Sequence, residues 1–135
     1  MKDQTFAKPA KDHYDAAVII AGTRTFDNHK LLEWYIGAIM QQLMDRGSVI
    51  VLSGGAPGAD KLGERWAREH NIPCMVFPAD WKEHGKRAGY VRNKEMAENA
   101  THLIAFHDGK SRGTQMMIDL AREHDLWTSI LAYGQ

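Results

Sequence analysis

A chain of 135 residues can bury one continuous core but seldom two, so a single domain is expected. Seventeen basic side chains against seventeen acidic ones leave no formal net charge, which removes the basic excess of a nonspecific duplex-binding module. A lone cysteine, Cys74, excludes an internal disulfide and points to a reducing, cytoplasmic setting. No apolar run nears the roughly 18 residues of a membrane span, and ordinary composition calls for no metal or cofactor to complete the fold.

Residues 1–13 carry lysines, a proline and no apolar periodicity, and read as a flexible arm ahead of a domain at 14–135. The first strand-like run is 16–21. A helix is predicted over 28–46, capped by Asp27 or Asn28, stopped by Gly47, and buried along Leu32, Ile36, Ile39 and Leu43. A second strand, 49–52, leads into a helix over 59–70 that buries Leu62, Trp66 and Ala67 and cannot pass Pro73. A third strand, 74–77, precedes a helix over 88–99 whose apolar set, Val91, Met96 and Ala97, is weak. A fourth strand, 102–106, is followed by a helix over 114–124 resting on Met117, Ile118 and Ala121, and a fifth strand covers 128–131. Trp34, Trp66 and Trp127 read as core, as does Cys74. Alternation of this kind predicts an α/β fold: a three-layer, Rossmann-like domain with a mostly parallel sheet of about five strands, its order unreadable.

In such a sheet every strand-to-helix loop emerges on one edge, where ligands bind. The first loop brings Gly22, Thr23 and Arg24. The second is Ser53-Gly54-Gly55-Ala56-Pro57-Gly58-Ala59-Asp60, in which glycines admit an anion to the backbone before a helix N-terminus. The third carries Trp81 and leads to Arg92 and Asn93. The fourth offers Lys110, Ser111, Arg112, Gly113 and Thr114. Neither glycine-rich loop has the Walker A order, and neither gives G-x-G-x-x-G. Asp60 reads equally as a helix cap or as a contact to a ligand hydroxyl, and Trp81 as a base-stacking or a packing residue. The histidines form no H-x-x-x-H or H-E-x-x-H pair, so no metal site is expected.

The run GTRTF, then SGGAPGAD, Phe77-Pro-Ala-Asp-Trp81, Gly89-Tyr-Val-Arg-Asn93 and GKSRGT together resemble the SLOG superfamily of Rossmann-like nucleotide-binding domains, in its YspA-type, cpYpsA-related branch. The resemblance implies a nucleotide or nucleotide-derived ligand, such as an NAD or ADP-ribose derivative, and self-association as a homodimer or larger oligomer. Related LOG-type phosphoribohydrolases carry P-G-G-x-G-T-x-x-E, whose glutamate assists N-glycosidic cleavage. Met117 stands at that place here, and a thioether supplies neither a proton nor charge. The leading expectation is therefore a binding module, a sensor or sequestering protein without turnover. A nucleotide N-glycosidase using Asp60 or Asp108 is the alternative. A single-stranded nucleic-acid accessory role, by likeness to the DNA-processing protein DprA, stands last because no basic stripe exists.

Overall fold

A computed structural model describes residues 8–134. Residues 1–7 of the expected arm lie outside that range. Residues 8–13 pack onto the domain: a 3-10 turn at Ala10–Asp12 buries Ala10, whose amide N–H donates to Asn99 Oδ1 at 2.8 Å.

Strands β1 (Ala16–Gly22), β2 (Val49–Ser53), β3 (Cys74–Val76), β4 (His102–His107) and β5 (Trp127–Ala132) alternate with helices. Four long helices are α1 (His29–Arg46), α2 (Ala59–Glu69), α4 (Ala88–Asn99) and α5 (Arg112–Glu123). A single-turn helix, α3 (Trp81–His84), was not foreseen in the sequence. All pairings are parallel, in the order β3-β2-β1-β4-β5. This is the expected Rossmann-like α/β domain.

The continuous apolar run of β1 follows from its central place, where both faces are covered. Ala16, Val18 and Ile20 meet Leu32, Ile36 and Met40 of α1 and Trp66 and Ala67 of α2. Ala17, Ile19 and Ala21 face Met96 and Ala97 of α4 and Met117, Ile118 and Ala121 of α5. Period-2 alternation thus sends successive side chains into two different layers. The α1 stripe runs through Met40, while Ile39 and Leu43 are only half-buried. Asn28 caps that helix by accepting the Leu31 N–H at 3.0 Å. Beyond α2, Asn71 turns the chain in the left-handed region at φ 56°.

Three core expectations need correction. Trp34 is 71% exposed because it lies on the outward side of α1, and Trp127 is 76% exposed because it opens the edge strand β5. Cys74 is half-buried on the opposite edge strand. Its thiol is pushed up to about 12, chiefly by burial, so it carries little thiolate. Trp66 is buried as expected. Among the described residues, no helix is long and apolar enough to cross a membrane.

Candidate functional site

From β1 the chain adds β2 and β3 on one side, then crosses to place β4 and β5 on the other. The loops after β1 and β4 therefore diverge, opening a crevice at the carboxyl ends of neighbouring strands. A cleft of about 380 Å³ lies there. The loop regions after β1 and β2 contribute Gly22, Arg24, Ala56 and Asp60 to its wall. The excursion after β3 contributes Trp81, Lys86, Gly89, Tyr90, Arg92, Asn93 and Met96. The start of α5 contributes Ser111, Gly113, Thr114, Met116 and Met117.

Other expected site residues support the cleft from behind. Thr23 is buried and ties three loops together. Its N–H donates to the Phe106 carbonyl at 3.0 Å, its carbonyl accepts the Ala59 N–H at 3.3 Å, and its hydroxyl accepts the Asp108 N–H at 3.3 Å. Gly58, at φ 82°, lies so close to the Thr23 and Arg24 carbonyls that a Cβ could not fit. Buried Ser53 donates to Glu64 Oε2 at 2.6 Å and accepts the Gly55 N–H at 3.1 Å. The Gly54 carbonyl accepts a hydrogen bond from Arg92 Nη1, while Arg92 Nε donates to Asn93 Oδ1 at 2.8 Å. Arg92 thus braces the second loop and is only partly free for a ligand.

Asp60 is buried beside these groups and accepts the Ala56 N–H at 3.2 Å. Its carboxyl is pushed up to about 6, because burial outweighs the Ala56 N–H and the Arg92 charge. The same burial lowers the Arg92 guanidinium from its ordinary value, against the pull of Asp60. The Asp60 carboxyl group thus already takes up one backbone N–H of the second loop. In the fourth loop, Asp108 Oδ1 accepts the N–H groups of Lys110 at 2.8 Å and Ser111 at 2.9 Å. Those two bonds hold its carboxyl below the usual range. Ser111 caps α5 by accepting the Thr114 N–H at 3.2 Å.

The structure thus brings Gly22, Arg24, Asp60, Trp81, Arg92, Asn93, Ser111, Gly113 and Thr114 to one cleft. Thr23, Ser53, Gly54, Gly55 and Gly58 lie behind its wall, and Lys110 is exposed outside it. Arg112 faces a neighbouring groove with Gln115 and Asp119. Sequence reasoning missed Lys86, Tyr90, Met96 and Met116 as site residues, while Met117 stands in the wall at the place the family resemblance gives the glutamate. Met96 and Met117 read as core from helical spacing, and they are buried, but both also border the cleft. The Arg24 and Lys86 side chains make no hydrogen bond or ion pair among the described residues. The cleft can receive an anionic group against these two cations and the N-terminal end of α5, with an apolar group against the methionines and Tyr90.

No solved structure matches the chain. The "Gene 61 protein" of Mycobacterium phage D29 is 41% identical over 73 residues, which is 50% of this chain and 58% of that protein, so this chain spans less than two thirds of it. The model of the YspA, cpYpsA-related SLOG family matches residues 16–84, from β1 through α3 and so through the first two ligand-edge loops. The match covers half of the chain, and the protein belongs to the YspA, cpYpsA-related SLOG family.

Proposed function

We propose that the cleft binds a phosphate-bearing nucleotide derivative and that the protein acts as a sensor or sequestering module. The observation carrying this reading is the pairing of two uncommitted cations, Arg24 and Lys86, with an apolar wall in one crevice at the sheet's switch point. The phosphate lies against Arg24, Lys86 and the Gly113 and Thr114 end of α5. Asp60 accepts a ribose hydroxyl, and Trp81, Tyr90 and the methionines flank the base. A volume of about 380 Å³ lies low in the roughly 300–1,000 Å³ range of small-molecule pockets. It suits one nucleotide unit better than a dinucleotide such as NAD. The SLOG membership supports a nucleotide-related role.

The test is a thermal-shift series over nucleosides, their monophosphates, ADP-ribose and NAD. Monophosphates should stabilise and nucleosides should not. Arg24→Ala should cost about 1.5–3 kcal/mol of affinity, the range of a hydrogen bond to a charged group. Equal affinity for nucleoside and monophosphate would remove the anion argument.

One observation favours a second reading, nucleotide N-glycosidase. Among the described residues lining the cleft, Asp60 is the one carboxylate, and its raised pKa lets it carry a proton near neutrality. Asp108 is committed to its own loop. Release of free base that disappears in Asp60→Asn would replace the binding reading with this one.

A further inference from the structure

We infer that His29, Glu33 and Glu69 form a divalent-cation site joining the start of α1 to the end of α2. None of the three lines the cleft. His29 Nε2 lies 3.7 Å from Glu33 Oε2 and 3.7 Å from Glu69 Oε1. The three donor atoms all fall within 4.8 Å of one another.

Both nitrogen-to-oxygen distances exceed the roughly 3.2 Å limit of a good hydrogen bond, so the imidazole holds neither carboxylate that way. They approach the edge of a coordination tetrahedron, about 3.3–3.4 Å for bonds of about 2.0–2.1 Å. Closing the site requires both glutamates to turn toward the ring and toward each other. The other ring nitrogen, Nδ1, is buried and finds no hydrogen-bond partner among the described residues. The ring is therefore hydrogen-bonded through neither nitrogen, and Nε2 faces two carboxylates across a gap that suits a cation.

One imidazole and two carboxylates, with a fourth position for water, suit Zn²⁺; Mg²⁺ prefers all-oxygen, octahedral surroundings. His29 and Glu33 stand one turn apart on α1, so helix geometry presets that pair. Arg65 Nε donates to Glu69 Oε2 at 3.0 Å, leaving Oε1 as a single donor while adding a charge that opposes the cation. Without a partner for Nδ1, the ring lacks the outer hydrogen bond whose loss typically costs 10–100-fold in metal affinity. The site is a weak, exchangeable one. Sequence reading expected no metal because Glu69 reaches the pair only through helix packing.

Calorimetric titration of Zn²⁺ into the full chain at pH 7 tests this, with circular dichroism confirming the fold of each variant. One equivalent should bind, and His29→Ala and Glu33→Gln should each weaken it at least tenfold. Arg65→Ala should tighten it several-fold, a direction that a merely structural role for Arg65 would not produce. Absence of Zn²⁺ binding by the native chain overturns the assignment. So does unchanged affinity in His29→Ala, or an Arg65→Ala variant that binds no better than the parent.

Discussion

Asp60 shows how burial ties the charge of a single residue to the stability of the fold. Its carboxyl rises from 3.8 to about 6 on folding, so between those values the folded chain binds more protons than the unfolded one. Stability attributable to this group is then highest below the lower value and falls as pH rises, by on the order of 3 kcal/mol for roughly two units. Asp60→Asn keeps an acceptor for the Ala56 N–H without burying charge. It should raise the melting temperature at pH 7.5, and the difference from the parent should vanish near pH 4, which a pH series of thermal melts would check. Groups perturbed in this way cluster at functional sites, though structural ones show the same shift. The glycines divide in the same physical terms. Gly58→Ala, at φ 82° and against two carbonyls, should lose about 1–3 kcal/mol. Gly113→Ala faces open space inside a helix and should gain up to about 1 kcal/mol. Urea melts of the pair would show both signs. Arg24, Asp60 and Asn93 were legible because each lies in or just beyond a strand-to-helix loop. Lys86 and Tyr90 were not, because their reach depends on how the chain folds back between β3 and α4.

Elements were legible where one physical demand shaped a whole segment. Leu32 and Ile36 of the α1 stripe, and a cap at Asp27 or Asn28, could be read because burial recurs every helical turn and a cap is a local hydrogen bond. Trp34 and Trp127 were misread because apolar character alone does not say whether a neighbour covers that side. On this account Leu32→Ala should cost about 2–5 kcal/mol, while Trp34→Ala should stay within about 0.5 kcal/mol of the parent. Ser111→Ala, which removes the α5 cap, should cost about 1 kcal/mol, and denaturant melts measure all three. The same cap orders the turn that presents Gly113 to the cleft, so ligand affinity should fall with it.

At the scale of the molecule, strand order escaped the sequence because periodicity reports which side chains are covered, never which strand lies beside which. That order places β1 between two partners and leaves β3 and β5 at the edges. Amide exchange should accordingly be slowest across Val18–Ile20 and fastest, among strands, in β3 and β5. Equal protection across all five would contradict a shared central strand. The balance of seventeen cations against seventeen anions also bears on how quickly a ligand arrives. Without net charge the molecule exerts little long-range pull, so an anion feels Arg24 and Lys86 only within about one screening length, near 10 Å at 0.1 M salt. Association should proceed without long-range steering and change little as salt is raised. Added salt would then weaken binding mainly by shortening the time a captured ligand remains in the cleft.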